Sequence, residues 1–350
     1  MEPRPLPVQV GKNVSKWGHF ATTAIIQKMN YRRLGKTELK VSALGLGCGR
    51  LGSVTQSGGD QAALRLIGAA IDAGVNFFDT SDIYGQGRSE MLLAKALKGQ
   101  RDKVIIATKA GFCLSSLGWV AKQIKPVVRK FLKAKPKFAH SIQKARASQN
   151  KQNFSPLYLQ RGVEGSLKRL RTEALDVFQL HSPPTEVLRQ GEVFRTLDSL
   201  KAQGKARHYG VSCRKAGDVA FCLAHAGVSV LQVELNLLHP EALAEVLPAA
   251  KSQDVGIVAR QALAGGLLLR SPGELRPEDC ASREESFEQL RGRIEEVAEN
   301  ARQSGRTLPQ MAIQYLLEQA AISTVLIGTT NAEHLKVHLP RLEQPVLNPQ

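Results

Sequence analysis

Four side chains in this sequence have the types and positions that proton transfer requires: Asp79, Tyr84, Lys109 and His181. They occur in the strings FFDTSDIYG, VIIATK and DVFQLH, each at the end of a short apolar run or a few residues beyond it. A phenol, an ammonium, a carboxylate and an imidazole can together hold, donate and accept a proton. The four residues therefore predict a proton-handling site, provided that the fold brings these strand ends together.

Eight apolar runs alternate with amphipathic helical patterns from about residue 30 onward, at 41–47, 76–80, 104–109, 176–181, 208–213, 230–236, 255–260 and 324–329. Most of the runs are continuously apolar, as expected for strands that are buried on both faces of a parallel sheet. The alternation predicts an α/β protein with a single (β/α)8 TIM-barrel domain, and a doubly wound sheet is the alternative. In a barrel, the carboxyl ends of all the strands meet at one face.

Two segments lie outside this alternation. Residues 1–29 are expected to be a flexible N-terminal extension, so that the barrel spans 30–340. An insertion after the third strand, 111–155, contains a basic amphipathic helical pattern over 118–135. We interpret this pattern as a lid helix with its basic face in water, and contact with an anionic membrane surface is the alternative.

The net charge of +17 comes from two segments of the chain, and this distribution does not indicate a nucleic-acid-binding protein. Residues 1–40 hold eight basic and two acidic residues, and 103–163 hold thirteen basic residues and no acid. The remainder is nearly neutral, and no nucleic-acid partner is expected. The five cysteines are scattered without CxxC spacing, which favours a reducing compartment such as the cytoplasm. The histidines show no metal-ligand spacing, and the sequence does not indicate an oligomeric state.

Several longer strings resemble, in order, those of aldo-keto reductases: GVNFFDTSDIYGQGRSEMLLAKAL, ATKAG, SLKRLRTEALDVFQLH, GKARHYGVS and LQVELN. The resemblance extends from about Tyr31 to His338, apart from the insertion. It implies a barrel that binds a nicotinamide dinucleotide and an oxidoreductase acting on a small aldehyde, ketone or sugar. The YGQGRSE stretch resembles aldose dehydrogenases. A regulatory protein of the same fold, which binds the cofactor with negligible turnover, is the alternative.

In an enzyme of this kind, Tyr84 is expected to be the general acid and base. The ordinary pKa of a tyrosine is about 10. We expect the Lys109 ammonium to lower the pKa of Tyr84 by stabilising the phenolate. Asp79 is expected to hold Lys109 charged and in position, and His181 to hydrogen-bond the substrate oxygen.

The resemblance also implies contacts with the cofactor. Gly47 and Cys48 are expected beside the nicotinamide, Ser212 and Gln232 at its carboxamide, and Arg260 stacked on its ring. The adenosine end is expected at the last strand and the helix after it, at Gly328, Thr329, Thr330, His334 and His338. A helix N-terminus suits a phosphate, yet Thr330 and His334 stand where NADP-preferring relatives often carry arginine. The prediction is therefore a slight preference for NADP(H) over NAD(H).

The string GCGRLG at 47–52 satisfies the dinucleotide fingerprint GxGxxG by spacing. That fingerprint requires its last glycine to open a helix directly, so that the helix N-terminus meets the pyrophosphate. Here the residues SVTQSGG intervene before the helix expected at about Asp60, and Asp72 is expected inside that helix. We therefore discount the string as a sign of a Rossmann fold.

Overall fold

The computed structural model describes residues 29–53, 58–113, 151–280 and 285–338, and eight parallel strands within them close into a barrel. The strands are β1 (Tyr31–Arg33), β2 (Lys40–Ser42), β3 (Leu44–Gly47), β4 (Phe77–Asp79), β5 (Ile105–Ala110), β6 (Phe112–Cys113), β7 (Lys151–Gln152), β8 (Leu175–His181), β9 (Ala206–Ser212), β10 (Val228–Glu234), β11 (Gly256–Arg260) and β12 (Ile322–Ile327). The barrel runs β3, β4, β5, β8, β9, β10, β11, β12 and closes by pairing of β12 with β3. The predicted TIM barrel is confirmed, and its closure excludes an open doubly wound sheet.

Helices connect every pair of successive barrel strands, as a parallel barrel requires. The described α-helices are α1 (Gly59–Asp72), α2 (Arg88–Ala96), α3 (Pro156–Leu170), α4 (Thr185–Gln190), α5 (Glu192–Ala202), α6 (Asp218–Leu223), α7 (Pro240–Ser252), α8 (Phe287–Gln303), α9 (Leu308–Leu317) and α10 (Ala332–His338). Because α1 begins only at Gly59, the 47–52 glycine string does not open this helix, and Asp72 is its last residue. This geometry agrees with discounting the string as a Rossmann fingerprint.

The N-terminal end of the barrel is filled by apolar side chains. Phe77 and Ile105, at the starts of β4 and β5, pack in one buried cluster with Leu34 and Val41 from the β1–β2 hairpin. The hairpin is antiparallel, with Tyr31 opposite Ser42, and it covers this end of the barrel. Because the apolar side chains occupy one end, the polar side chains that follow the strands gather at the other.

The insertion leaves the barrel after the third barrel strand, β5, and returns before β8. At its base Phe112 pairs with Gln152, and Cys113 with Lys151, in a two-stranded antiparallel sheet. Residues 114–150, including the helical pattern at 118–135, and residues 1–28 lie outside the described residues. Within the described ranges, no helix has both the length and the apolar character needed to cross a membrane.

Candidate active site

The four proton-handling side chains meet at the carboxyl end of three neighbouring barrel strands. Asp79 and His181 are the last residues of β4 and β8, and Lys109 is the second-to-last residue of β5. Tyr84 follows β4 in a short 3-10 turn, Tyr84–Gly87. Asp79, Tyr84 and His181 line a cavity of about 550 Å³, while Lys109 is fully buried behind its wall. The convergence expected from the strand ends is present in the structure.

Asp79 and Lys109 form a buried ion pair. Lys109 Nζ donates to Asp79 Oδ2 at 2.7 Å, lies 2.6 Å from Oδ1, and also donates to the Thr80 carbonyl at 2.9 Å. Lys109 is 0% exposed and Asp79 is 4% exposed. Burial on its own lowers the pKa of Lys109, but the attraction of Asp79 and the neighbouring Tyr84 leaves that pKa raised. The ammonium therefore stays charged beneath the cavity.

The pKa of Tyr84 differs from the expectation. Lys109 Nζ lies 5.1 Å from the centroid of the Tyr84 ring, and its charge does lower the pKa of the phenol. Burial is nevertheless the largest effect, Asp79 acts in the same direction as burial, and the pKa of Tyr84 is raised. The prediction that the pKa of Tyr84 is lowered is wrong, because burial destabilises the phenolate more than the Lys109 ammonium stabilises it. Tyr84 thus retains its proton at neutral pH.

His181 is held as a neutral imidazole by its surroundings. Its ring meets the rings of Tyr84 and Phe112 edge to face, with centroid distances of 5.6 and 4.8 Å. Its Nδ1 lies 3.0 Å from Ser81 Oγ. Burial, reinforced by the charges of Lys109 and Arg260, holds the pKa of His181 well below 6.5. One ring nitrogen of the neutral imidazole is therefore a hydrogen-bond donor and the other is an acceptor.

Three residues at the cavity were missed from the sequence: Phe112, which lines it, and Gln152 and Ser81, which hydrogen-bond to His181 in its wall. Phe112 comes from β6, and Gln152 from β7 donates to the carbonyls of Ser182 at 2.8 Å and His181 at 3.3 Å. The Oε1 atom of Gln152 accepts from Arg214 at 3.2 Å. Phe112 and Gln152 meet through pairing across the insertion, for which the sequence has no local signal. Ser81, in contrast, lies inside the string FFDTSDIYG and could have been found there.

Ser212 and Gln232, the residues expected at a nicotinamide carboxamide, lie side by side in the cavity wall. Ser212 Oγ donates to Gln232 Oε1 at 2.9 Å, and Gln232 Nε2 donates to Asp79 Oδ1 at 2.7 Å. The hydroxyl retains acceptor capacity toward the cavity, so the pair fits a primary amide. Gly47 and Gly328 line the same cavity without side chains.

Arg260 also faces this cavity, at the end of β11. One of its terminal nitrogens donates to Glu234 at 2.9 Å and the other to the Cys213 carbonyl at 3.2 Å. Its Nε is buried without a partner. The guanidinium is thus held by two hydrogen bonds at the cavity, and its stacking on a nicotinamide ring stays a prediction.

Four of the remaining predicted cofactor residues, all within the described part of the chain, do not line this cavity: Cys48, Thr329, Thr330 and His334. Cys48 is fully buried, with its thiol directed to the Leu46 carbonyl at 3.5 Å. Thr329 Oγ1 accepts from the backbone of Asn331 at 3.1 Å, and His334 is exposed. The side chain of His338 falls outside what the structure describes. The cavity thus contains four of the five residues expected at the nicotinamide end, without Cys48, and also Gly328 from the set expected at the adenosine end.

Comparisons with known proteins point to one family. A family model described as "Aldo/keto reductase family" matches residues 43–349. An uncharacterised oxidoreductase of Bacillus subtilis, YqkF, is 28% identical over 321 residues, covering 89% of this chain and 90% of the relative. The L-galactose dehydrogenase of Arabidopsis thaliana is 29% identical over 319 residues, covering 88% of this chain and 86% of the relative.

Among solved structures, the holo form of an aldo-keto reductase from Bacillus halodurans matches with a TM-score of 0.71 and 24% identity. It covers 92% of this chain and 93% of its own. At this level of sequence identity, the match shows that the two proteins share a fold and shows nothing about their activities. Since the family model matches most of the sequence, and the barrel and its polar end agree with that match, the chain belongs to the aldo/keto reductase family.

Proposed function

We propose that this chain transfers a hydride between NAD(P) and an aldehyde, ketone or aldose, with Tyr84 as the general acid and base. Its family and its relatives make it an oxidoreductase of the kind that uses a nicotinamide cofactor on small carbonyl compounds. One observation carries the finer proposal: Tyr84 lies over the buried Asp79–Lys109 pair and shares its cavity with His181. This is the arrangement that proton transfer to a carbonyl oxygen needs.

In the reducing direction, the Tyr84 hydroxyl gives its proton to the substrate oxygen. Its raised pKa keeps the phenol protonated, and the Lys109 ammonium stabilises the phenolate that remains. Asp79 keeps that ammonium in place. His181, held neutral, orients the substrate oxygen by a hydrogen bond. The oxidation of an alcohol uses the same groups in reverse.

The nicotinamide cofactor, when bound, supplies or accepts the hydride. Ser212 and Gln232 are the proposed partners of its carboxamide, and Arg260 is proposed to stack on its ring. Gly47 lines the same cavity and is the proposed backbone contact beside that ring. For the adenosine end, Gly328, Thr329, Thr330, His334 and His338 remain the proposed contacts, with a slight preference for NADP(H).

The substrate that we favour is an aldose. The name of the Arabidopsis relative supports a sugar, and the cavity rim adds polar donors from Arg50, Arg214 and Gln261. Hydroxyl-rich substrates need such groups, because each buried hydroxyl without a partner weakens binding. We propose a cytoplasmic location, which the unbridged thiols of Cys213 and Cys222, with sulfurs 3.9 Å apart, support.

Turnover on a panel of aldehydes, ketones and aldoses with both cofactors, followed by NAD(P)H absorbance, tests the proposal. We expect Tyr84→Phe to lower kcat by about 10²–10⁴-fold and to leave cofactor affinity by calorimetry unchanged. Tyr31→Phe is the matched control, because Tyr31 is 51% exposed and bonds only the distant Gly74 carbonyl. Retained turnover in Tyr84→Phe contradicts the assignment. Cofactor binding by the wild type without turnover of any substrate would favour a regulatory role.

A further inference from the structure

His181 is hydrogen-bonded through its Nδ1 atom to Ser81, and Ser81 is hydrogen-bonded in turn to the carboxyl group of Asp82. His181 Nδ1 lies 3.0 Å from Ser81 Oγ, and Ser81 Oγ donates to Asp82 Oδ1 at 3.1 Å. Ser81 is fully buried. Because Ser81 occupies Nδ1, Nε2 is the nitrogen of His181 that remains for a molecule in the cavity.

Ser81 has one proton and more than one acceptor within reach. Besides Nδ1 and Asp82, the Lys109 carbonyl lies 3.2 Å from Ser81 Oγ. When Asp82 is ionised, the Ser81 hydroxyl points to the carboxylate, Oγ accepts from Nδ1–H, and Nε2 is left as an acceptor. When Asp82 is protonated, it donates to Oγ, the Ser81 proton turns to Nδ1, and Nε2 carries the hydrogen.

The surroundings of Asp82 place its ionisation close to neutral pH. Burial and the charge of Glu90 on α2 raise the pKa of Asp82 to about 7, opposed by Ser81 and by Arg169 on α3. Glu90 is itself fully buried, with Arg169 Nε 2.5 Å from its Oε2 and Thr108 donating to Oε1 at 2.7 Å. Tyr158 on α3 also feels the charge of Asp82. On the other side, Lys109 and Arg260 keep His181 neutral, so its single ring proton has two possible positions.

We propose that Ser81 and Asp82 form a relay that sets which nitrogen of His181 carries the proton. With Asp82 protonated, Nε2–H donates to a carbonyl oxygen and carbonyl reduction is favoured. With Asp82 ionised, Nε2 accepts from a hydroxyl and alcohol oxidation is favoured. The inference rests on the proposed oxidoreductase function and deepens it, because it sets the pH range in which the site is most active in each direction. Ser81 and Asp82 act through His181 and are positioning residues.

The change between the two states is balanced in protons. Starting from protonated Asp82, the acid proton moves to Ser81, the Ser81 proton moves to Nδ1, and the proton on Nε2 is released into the cavity. The net result is one proton released and one carboxylate formed at Asp82. No bond to carbon changes and no oxidant or reductant is consumed in this step, so the relay is separate from the hydride transfer.

Nitrogen-15 NMR of the full chain labelled at histidine tests the relay without any substrate. The His181 signals are assigned by their loss in His181→Gln. In the wild type, we expect the protonated nitrogen to change from Nε2 to Nδ1 as pH rises, with a midpoint near 7. Asp82→Asn and Ser81→Ala should abolish this change. Asp72→Asn, at the exposed end of α1, alters the net charge equally and should leave it intact.

The kinetic readout compares kcat/KM for reduction and oxidation over the same pH range. The amide of Asp82→Asn can donate to Ser81 at every pH, which holds Nε2 protonated. A substitution cannot change the equilibrium constant of the reaction, so with unchanged cofactor affinity the ratio of kcat/KM for reduction to that for oxidation stays the same at each pH. We therefore expect the inflection near pH 7 to disappear from both profiles, with kcat/KM for reduction at pH 8 rising about tenfold over the wild type.

A titration of His181 that is unchanged in Asp82→Asn overturns the relay, even if Ser81→Ala fails to fold. A normal tautomer change without turnover of any carbonyl overturns the proposed function and leaves the relay standing.

Discussion

Gln232 Nε2 donates to Asp79 Oδ1 at 2.7 Å, from a strand on the far side of the barrel from β4. The same oxygen lies 2.6 Å from Lys109 Nζ. Asp79 therefore connects the amide proposed to hold the nicotinamide with the ammonium proposed to stabilise the Tyr84 phenolate. If a bound cofactor displaces Gln232, Asp79 loses one of its hydrogen bonds, and its interaction with Lys109 changes as a result.

The Asp79–Lys109 pair should be costly to break from either side. Asp79→Asn or Lys109→Met leaves the other group buried without its partner, and each is expected to lower the free energy of unfolding by about 3–5 kcal/mol. The double variant should lose less than the sum of the two, because neither charge is then stranded. Urea denaturation of the four proteins measures this coupling. Additive losses would mean that the two charges do not interact.

Acid pH should destabilise the protein partly through His181. Its folded pKa is held well below 6.5, so the unfolded chain binds a proton in a range where the folded chain does not. The stability that this group contributes is therefore complete above 6.5 and is lost as pH falls toward the folded pKa. We expect the Tm of His181→Gln to fall less steeply than that of the wild type between about pH 7 and 5.

Calorimetric Tm values across that range give the comparison. Burial also lowers the pKa of His225, which contributes with the same sign in both proteins and cancels in the difference. Parallel Tm curves for wild type and His181→Gln would contradict the prediction.

Asp82 should have the opposite effect on the pH dependence of stability: it stabilises the folded protein in acid and less so as pH rises. Its pKa is raised from 3.8 to about 7, so the folded chain holds a proton that the unfolded chain has already lost. The contribution is complete below 3.8 and is lost as pH rises through 7. We expect Asp82→Asn to exceed the wild-type Tm above pH 7 by at least ~2 °C, and the two proteins to converge in acid. Asp72→Asn serves as the control, and a Tm difference that does not depend on pH would refute the assignment.

Cofactor choice can be shifted at the rim of the barrel. His334 is exposed on α10, where an arginine would present a bidentate donor to a 2′-phosphate. We expect His334→Arg to lower KM for NADP(H) by about tenfold and to leave KM for NAD(H) unchanged. In the wild type, the ratio of the two KM values should be small. A preference for NAD(H) of tenfold or more would reverse our proposal for the native cofactor.

The glycine string at 47–52 and the net charge of +17 are two sequence signals whose interpretation depends on their position along the chain. The string has fingerprint spacing, but α1 does not begin until Gly59. The charge is concentrated in 1–40 and 103–163. Discounting the string agrees with the closed barrel, and the absence of a nucleic-acid partner stays a prediction, because composition by itself does not identify a binding partner.

The sequence by itself determined the alternation of strands and helices and placed Asp79, Tyr84, Lys109 and His181 at or just after strand ends, while the closed barrel that excludes a doubly wound sheet came from the tertiary structure. Continuous apolar runs mark doubly buried strands, and parallel closure brings the residues after each strand to one end. Only the tertiary structure decided the contacts of Phe112, which depend on pairing across the insertion, and the inward burial of Cys48. It also decided that the pKa of Tyr84 is raised and not lowered, because desolvation depends on how closely the folded chain surrounds a group.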